Sequence, residues 1–332
     1  MTLLLGIETS CDETAAAVVG TDFRIHSNVI ASQADLHRRF GGVVPELASR
    51  RHIERLLPVV DEALEQAAVD LDAIGAIAVT RGPGLLGSLT VGMAAAKALA
   101  YTRGLPLVGV NHLEGHVFAN RLDRPSWPLP AIALIVSGAH TDLVLMRDEG
   151  RYEILGRTRD DAAGEAFDKV GRMMGLGYPG GPPLDRLAAG GHADRVPLPF
   201  PFAGGGYDFS FSGLKTAALR VWRARPADEA FGPDFAASFR RAVAEVLVAK
   251  FFRAVDEHRP QSAMLAGGVA ANTLLRQRAE AEAARRGLPL LVPPPILCTD
   301  NAAMIAAAGA ARLLRGEVDG WNLSVAADLP LA

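Results

Sequence analysis

The sequence predicts a duplicated α/β protein with two similar halves. The first half opens with two short apolar runs, LLLGI and AAAVVG, separated by the polar ETSCDET, which is typical of two strands joined by a turn. The stretch AIALIVSGAHTDLVLM repeats this pattern near the middle of the chain. Each half later carries a strand, a glycine turn and a helix, AIAVTRGPGLLGSLTVGMAAAKALAY in the first and SAMLAGGVAANTLLRQRAEAEA in the second. The same patterns in the same order indicate a duplication.

Further segments complete the two halves. The stretch PELASRRHIERLLPVVDEALEQAA has helical periodicity. Its predicted buried face consists of Ile53, Leu56, Leu57, Val60, Leu64 and Ala67. The short strand PLVGV leads into NHLEGH, and NAAMIAAAGAARLLRG predicts a last helix. RLDRPSWPLP is the predicted linker between the halves, and PLPFPFAGGGYDFSFSG, rich in proline and glycine, predicts a surface loop.

The charge of the chain bears on its partners. Its length of 332 residues suits two lobes, and its formal net charge of −3 provides no general attraction for nucleic acid. Binding of RNA would therefore need a local basic patch or a second protein. Two groups of arginines could form such a patch: Arg50, Arg51 and Arg55, and Arg220, Arg223 and Arg225. Both groups also fit an ordinary solvated helix face.

Cysteine content and the N-terminal sequence bear on the compartment. Two cysteines, Cys11 and Cys298, are too few for a thiolate zinc cage or a disulfide scaffold, which favours a reducing compartment. The start MTLLLGIETS lacks a basic leader, and we find no apolar run long enough to span a bilayer. We therefore expect a cytoplasmic protein that does not enter a membrane.

The stretch NHLEGH predicts part of a metal site. His112 and His116 are four residues apart, so both imidazoles lie on one face of a helix and could bind one ion. The zinc-protease pattern H-E-x-x-H needs a glutamate directly after the first histidine, and that position here is Leu113. Because two ligands are too few, a third must come from elsewhere. Asp300 and His140 are candidates, although Asp300 also fits a helix N-cap.

Two turns raise the question of nucleotide binding. GPGLLG places Gly82, Gly84 and Gly87 in the G-x-G-x-x-G spacing of dinucleotide-binding folds, but no acidic residue ends the next strand to hold a ribose. A tight turn onto a helix explains these glycines equally well. In ETSCDETA, Asp12 and Glu13 would repel a polyphosphate unless a cation bridged them, which argues against an ordinary kinase or ATPase.

The segment DDAAGEAFDKVGRMMGLGYPGGPPLDRLA combines acids with glycines. Gly180 and Gly181 would let a ligand approach the backbone closely, and Asp168 and Asp185 could accept hydrogen bonds from ribose hydroxyls. Asn272, near the start of a helix, lies where anions and polar ligands bind well. A capped helix followed by a turn would also account for this composition.

Nine stretches together resemble the bacterial TsaD family of tRNA N6-adenosine threonylcarbamoyltransferases, formerly classified as O-sialoglycoprotein endopeptidases. They are GIETSCDETAAAVV, GGVVPELASRRHIE, TRGPGLLGSLTVG, NHLEGH, SGAHTD, DDAAGEAFDKVGRMMGLGYPGGPPLDRLA, FSFSGLKTA, LAGGVAANTLLR and CTDNAAMIA. Each match alone is weak, but the nine follow one another in order over almost the whole chain.

The resemblance implies an actin-like, two-lobe α/β fold of the ASKHA class, shared with sugar kinases and Hsp70, with two ribonuclease H-like halves. It implies an N-terminal lobe of residues 1–125, joined by the C-terminal helical segment 300–325, and a C-terminal lobe of residues 130–299. The active site would lie in the cleft between the lobes.

The resemblance also implies an activity. The threonylcarbamoyl group of threonylcarbamoyl-AMP would pass to the N6 amine of the adenosine 3′ of the anticodon in tRNAs that read ANN codons, with release of AMP. The metal ligands would be His112, His116 and Asp300, holding one divalent ion per subunit, Fe2+ or alternatively Zn2+. Asp12 and Glu13 belong to the family's active-site turn, and we expect one of them to accept the proton of the amine.

The donor-binding residues implied by the resemblance are Ile135, Val136, Ser137, Gly138, Ala139, Asp168, Gly181, Asp185 and Asn272. Ala139 stands where the family usually has glycine, a difference that would matter if the backbone there had a positive φ. The expected partners are tRNA, the shorter paralogue TsaB bound to helices of the first lobe, and the ATPase TsaE. The alternatives are a metalloprotease and a kinase or ATPase on the same fold.

Overall fold

The computed structural model describes residues 1–124, 126–200 and 205–332 and divides the chain into two units. Unit 1 comprises Met1–Trp127 and Ile296–Ala332, and unit 2 comprises Pro128–Pro295. The boundary falls within RLDRPSWPLP, the predicted linker, of which Pro125 lies outside the described residues. Residues 201–204 of the predicted surface loop also lie outside them.

Strands and helices occur in both units. The strands are β1 (Leu3–Glu8), β2 (Glu13–Gly20), β3 (Ile25–Ser32), β4 (Ile74–Gly82), β5 (Leu107–Asn111), β6 (Ala131–Val136), β7 (Thr141–Asp148), β8 (Arg151–Arg157), β9 (Ser262–Ala266) and β10 (Leu290–Leu291). The α-helices are α1 (Ala34–Arg38), α2 (Pro45–Gln66), α3 (Leu86–Arg103), α4 (His112–Phe118), α5 (Ala163–Met173), α6 (Gly181–Ala188), α7 (Ser212–Arg223), α8 (Phe231–His258), α9 (Thr273–Arg285), α10 (Pro295–Cys298) and α11 (Ala302–Leu314). Among the described helices, none has both the length and the apolar character needed to cross a membrane.

Unit 1 contains one sheet with strand order β3-β2-β1-β4-β5. β1, β2 and β3 run antiparallel, as the first predicted hairpin requires, whereas β4 and β5 run parallel to β1. Almost every residue of β1 and β2 is buried, which explains their continuous apolar sequences. The carboxyl ends of β1, β4 and β5 share one edge of the sheet, the edge where parallel α/β sheets usually bind ligands.

Unit 2 repeats the topology of unit 1. Its sheet has the order β8-β7-β6-β9-β10, in which β6, β7 and β8 run antiparallel and β9 and β10 run parallel to β6. In each sheet the first strand begins a three-stranded antiparallel meander, and two strands parallel to it lie on its other side. The shared strand order confirms the predicted duplicated α/β architecture.

Helix α2 buries only part of the predicted face. Leu56 and Val60 pack in the core as predicted, but Ile53 and Leu57 are 68% and 58% exposed. The other residues of its buried face are Ala48, His52, Val59 and Ala63. Ile53 and Leu57 form a second apolar stripe, which lines a groove of about 390 Å³ between α2 and α3. Helical periodicity does not distinguish a stripe that enters the core from one that stays on the surface.

Helix α11, from the C-terminal part of the chain, packs against the sheet of unit 1. It is almost entirely buried and rich in alanine. A Cβ atom at Gly6 of β1 would lie 2.4 Å from the backbone oxygen of Ala302, so this glycine lets β1 and the start of α11 touch. The contact brings Asp300, two residues before the helix, to the end of the sheet where β1 finishes.

Candidate metal centre and active site

His112 and His116 lie on α4, as the NHLEGH pattern predicts. β5 ends at Asn111, whose Oδ1 accepts hydrogen bonds from the backbone N–H groups of Leu113 at 2.9 Å and Glu114 at 3.4 Å. This cap starts the helix directly at His112. The two imidazole rings share one helix face, with centroids 4.7 Å apart, and His116 is completely buried.

Asp300 completes a cluster with the two histidines. The N-cap of α11 is the next residue, Asn301, whose Oδ1 accepts a hydrogen bond from the backbone N–H of Met304 at 3.0 Å. Asp300 is therefore not the cap, and its Oδ1 lies 3.4 Å from Nε2 of His112 and 3.2 Å from Nε2 of His116. One potential ligand atom from each residue lies within 4.8 Å of the others. The other predicted candidate, His140, is not in this cluster.

Gly115 permits the close packing that brings these residues together. It lies between the two histidines on α4 and faces α11. A Cβ atom there would lie 2.7 Å from Cδ1 of Ile305 and 3.3 Å from Cγ of Met304. Any larger residue would push the two helices apart or displace Ile305, which is itself fully buried. The glycine of NHLEGH thus serves helix packing.

Burial and nearby carboxylates set the charges of the cluster. Burial lowers the pKa of His116, which favours the neutral imidazole that binds metal ions. Burial acts in the same direction on His112, but Glu8 and Asp300 more than offset it and raise the pKa of this imidazole well above 6.5. The pKa of Asp300 lies far below 3.8 despite its burial, because His112 and His116 stabilise the carboxylate. A neutral imidazole beside an ionised carboxylate suits a divalent cation.

Glu8 is a polar residue of this site that the sequence analysis missed. It ends β1, is fully buried, and contacts the Nδ1 side of His112. In the sequence, an acid at the end of an apolar strand cannot be distinguished from the first residue of a polar turn. Its signal in the sequence is that it is the single charged residue of LLLGIE.

Asp12 lies in the acidic turn between β1 and β2, and Glu13 is the first residue of β2. Burial, Asp12 and Asp300 together raise the pKa of Glu13 to about 9, so its carboxyl group keeps a proton at neutral pH. His52 of α2 supports the turn from the core side, with its Nε2 3.0 Å from a backbone carbonyl oxygen of the turn. Asp12 and Glu13 lie in unit 1, the same unit as His112, His116 and Asp300.

The segment Ile135 to Ala139 forms the end of β6 and the turn into β7. The side chains of Ile135 and Val136 are fully buried, so only their backbone could contact a ligand. Ser137 Oγ accepts a hydrogen bond from a backbone N–H of the same turn at 3.1 Å. Ala139 is exposed and has no positive φ, so alanine at this position causes no backbone strain.

Two hydrogen-bonded pairs in unit 2 contain the other predicted donor-binding residues: Asp168 with Gly181, and Asp185 with Asn272. Asp168 Oδ1 accepts hydrogen bonds from the backbone N–H groups of Gly180 at 2.8 Å and Gly181 at 3.0 Å. Asp185 Oδ1 accepts one from Nδ2 of Asn272 at 2.9 Å. The fold thus joins residues that are distant in sequence, and their role towards a donor stays a prediction.

The GPGLLG turn is explained by packing within the chain. Cβ atoms at Gly82, Gly84 and Gly87 would lie 2.0 Å from Ala326 O, 2.7 Å from Ser10 O and 2.6 Å from Ser49 Oγ, respectively. The backbone N–H groups of Gly84 and Leu85 already donate to backbone carbonyls of the chain, at 3.0 and 2.8 Å. The glycine spacing therefore gives no support to a dinucleotide-binding site.

Comparison with known proteins decides the family. Residues 24–307 match the profile of TsaD, tRNA N6-adenosine threonylcarbamoyltransferase. The chain belongs to the TsaD family. A tRNA N6-adenosine threonylcarbamoyltransferase from Symbiobacterium thermophilum is 58% identical over 308 residues, covering 92% of this chain and 90% of the relative. The protein of that name from Moorella thermoacetica is 52% identical over 333 residues, covering 99% and 97%. The predicted family is thereby confirmed.

Solved structures identify the fold of this TsaD family member. Component A of the (R)-2-hydroxyglutaryl-CoA dehydratase of Acidaminococcus fermentans superposes with a TM-score of 0.57 at 13% identity, over 95% of this chain and 100% of the other. Full-length HypF, in a phosphate- and nucleotide-bound form, superposes with a TM-score of 0.62 at 13% identity, over 97% of this chain and 47% of HypF. These similarities concern the fold alone and confirm the predicted two-lobe α/β fold of the ASKHA class.

Proposed function

We propose that this chain transfers the threonylcarbamoyl group of threonylcarbamoyl-AMP to the N6 amine of the adenosine 3′ of the anticodon in tRNAs that read ANN codons, releasing AMP. Membership of the TsaD family makes it an acyltransferase that modifies tRNA. The structural observation that carries the proposal is the cluster of two buried histidines, His112 and His116, with the partly buried Asp300. A zinc protease of the H-E-x-x-H type would need a glutamate at Leu113.

The three residues of the cluster would hold one divalent metal ion, through Nε2 of each histidine and the Asp300 carboxylate. The fit rests on His116, which is fully buried and whose ring nitrogens form no well-oriented hydrogen bond with a described residue, although Nε2 lies 3.2 Å from Asp300 Oδ1. A buried imidazole without partners is costly, and a bound cation would satisfy it. Two imidazoles and a carboxylate suit Fe2+, which we favour, or Zn2+. Such an ion would act as a Lewis acid and would polarise the carbonyl group of the donor.

Unit 2 would bind the adenylate part of the donor. The turn from Ser137 to Ala139 offers backbone groups, and Gly138 has no described atom within 4 Å of the place where a Cβ would be. Packing therefore does not require glycine there, and the open space would accommodate a ligand. Asp168 and Asp185, fixed by the hydrogen bonds described above, would accept hydrogen bonds from the ribose hydroxyls.

The proton of the attacking amine needs an acceptor, and we propose Asp12. Both acids of the turn are expected near the reacting groups from the family resemblance. With a pKa of about 9, however, the Glu13 carboxyl is already protonated at neutral pH and is a poor proton acceptor. Glu13 would instead offer a hydrogen bond to the donor or the acceptor base.

Reconstitution of the modification tests the proposal. The chain, the donor, its partner proteins and tRNA are combined, and tRNA nucleosides are analysed by mass spectrometry. The threonylcarbamoyl adenosine should appear only when the chain is present. His112→Ala should lose bound metal and at least about 100-fold in rate, the scale of losing an electrostatic catalyst. Asp12→Asn should be severely slowed, and Glu13→Gln should stay within a few-fold of wild type with both substrates saturating.

Three results would contradict these assignments separately. Modification that proceeds without the chain would exclude the transferase activity. Full metal content and full activity in His112→Ala would show that the ligand assignment is wrong. A severe loss of rate in Glu13→Gln, with Asp12→Asn unaffected, would move the proton acceptor to Glu13.

We further propose that TsaB docks on the apolar groove between α2 and α3, and that TsaE is the third component. Ile53 and Leu57 are exposed there beside Val91 and Leu99, so unit 1 presents an apolar surface on its helices. The resemblance to the family implies a paralogue bound to helices of this lobe. The predicted cytoplasmic location suits an enzyme whose acceptor is tRNA.

A further inference from the structure

Glu8 is held in one orientation by three groups at the carboxyl edge of the unit 1 sheet. Its Oε2 accepts a hydrogen bond from Oγ1 of Thr80, at the end of β4, at 2.7 Å, and lies 2.9 Å from Nδ1 of His112. Its Oε1 accepts a short hydrogen bond from the backbone N–H of Ser10. The side chain is 0% exposed. A buried carboxylate with this many donors has little freedom to turn.

The contact with Glu8 determines which nitrogen of His112 faces the cluster. An ionised carboxylate is an acceptor only, so Nδ1 of His112 must carry the proton in the contact with Oε2. In the neutral imidazole that binds a metal ion, Nε2 then has the free lone pair, and Nε2 is the atom 3.4 Å from Asp300 Oδ1. A histidine that binds a metal is commonly oriented in this way by a carboxylate on its other nitrogen.

The negative charge of Glu8 also affects the charge balance of the proposed metal centre. Glu8 and Asp300 provide two negative charges in a buried region, and the histidines provide none when they are neutral. A divalent cation would bring the sum to zero, whereas removal of either carboxylate would leave a buried net positive charge, which is unfavourable. Both oxygens of Glu8 accept hydrogen bonds, from Oγ1 of Thr80 and from the backbone N–H of Ser10, and these bonds stabilise the ionised carboxylate.

His116 has no comparable support among the described residues. Its Nδ1 is buried without a hydrogen-bond partner there, whereas Nδ1 of His112 has both Glu8 and, at 3.2 Å, Oγ of Ser10. The two histidines are therefore unequal, and His112 is the one whose orientation and basicity the chain controls.

We propose that Glu8 is a positioning residue of the metal centre: it holds His112 in the tautomer that presents Nε2, and its negative charge strengthens the binding of a divalent cation. This inference rests on the metal centre proposed above. It assigns Glu8 no contact with the donor or with tRNA.

Glu8→Gln is the direct test because it keeps the shape and removes the charge. Glutamine has one oxygen and an NH2 group, so it cannot accept from both His112 and the backbone N–H of Ser10. Affinity for Co2+ and Zn2+ is measured by competition with a chelator on the full chain, with Co2+ absorption reporting ligand geometry. We expect affinity to fall about 10- to 100-fold, the usual effect of losing such a partner. Thr80→Val, which keeps the carboxylate, should stay within about three-fold of wild type because it removes only one neutral donor.

The outcomes separate this inference from the metal centre itself. If wild type and His112→Ala bind Co2+ equally well, the metal centre is wrong. If His112→Ala loses Co2+ and Glu8→Gln keeps wild-type affinity, the centre stands and the role of Glu8 is refuted.

A second measurement needs no variant and covers the case in which Glu8→Gln does not fold. In the Zn2+-loaded wild-type chain labelled with 15N, nuclear magnetic resonance should show His112 protonated at Nδ1 and bound to zinc through Nε2. Zinc on Nδ1 of His112 would overturn the inference.

Discussion

Asp160 shows how one carboxylate can start a helix to which it does not belong. It follows β8, and its Oδ1 accepts hydrogen bonds from the backbone N–H groups of Phe211 at 2.8 Å and Ser212 at 3.3 Å, where α7 begins. Its Oδ2 accepts from the hydroxyl groups of Ser210 and Ser212. Although burial raises the pKa of Asp160, these bonds hold it below 3.8. Asp160 of the stretch DDAAGEAF thus caps the helix that begins in the stretch FSFSGLKT.

Asp160→Asn should destabilise the protein by about 1–2 kcal/mol at pH 7, because one amide oxygen cannot replace a carboxylate that serves four donors. Since the folded-state pKa lies below 3.8, the carboxylate contributes stability above that pH and loses it as pH falls through the folded value. The difference in unfolding free energy between wild type and variant should therefore shrink between pH 5 and 3, as measured by urea unfolding.

The control for Asp160 is Asp61→Asn, at an exposed site on α2 without a hydrogen bond or ion pair to a described residue. Its effect should be near zero at every pH. A destabilisation by Asp160→Asn that stays constant down to pH 3 would show that the ionised carboxylate is not what stabilises α7.

The proposed metal centre depends on the packing of α4 against α11. α4 carries the two proposed histidine ligands directly after β5, and α11 sets the position of Asp300. Gly115→Ala should push Ile305 away and shift α11 by a few tenths of an ångström. We expect a net destabilisation of about 1 kcal/mol, since overpacking costs about 1–3 kcal/mol and alanine recovers up to about 1 in a helix. Affinity for Co2+ should fall at the same time.

A second substitution distinguishes overpacking from other effects of Gly115→Ala. Ile305→Val removes the Cδ1 atom that the new methyl group would meet, and alone it should cost about 0.5–1.5 kcal/mol. In the double variant the two costs should not add, and Co2+ affinity should recover. Gly213→Ala, at an exposed helical glycine with open space around it, is the matched control and should not destabilise. Additive costs in the double variant would refute the packing explanation.

Local sequence patterns predicted most helices and strands, but not which distant residues contact one another. The spacing of His112 and His116 suffices to place both on one helix face, because that relation is set by helix geometry alone. Asp300 reaches the two histidines only because α11 packs in unit 1, and no local sequence pattern contains this long-range contact. The assignment of Asp300 as the third ligand came from the family resemblance. Its alternative role as a helix cap was excluded only by Asn301, which the sequence could not rank above its neighbour.

The charge of the whole molecule favours a shared surface for tRNA. The net charge is −3, and two of the arginines considered for phosphate contact are already neutralised. Arg50 and Arg51 form ion pairs of 2.6 Å with acids of their own helix, α2. Arg220 and Arg223 are exposed and form no ion pair with a described residue. A chain of negative net charge has weak overall attraction for tRNA, and a partner would have to contribute the rest.

Docking of that partner can be tested on the groove of unit 1. Ile53→Asp combined with Leu57→Asp places two charges on its apolar lining, while the free chain should fold normally because both residues are largely exposed. Affinity for TsaB, measured by isothermal titration calorimetry, should fall at least about 30-fold, which corresponds to losing a hot spot of about 2 kcal/mol. The control is Val318→Asp, at an exposed apolar residue of unit 1 that does not line the groove; it should leave affinity unchanged.

Metal content should be equal in wild type, the double variant and Val318→Asp, since none of these changes alters His112, His116 or Asp300. If the double variant binds TsaB as tightly as wild type does, the groove is not the docking surface.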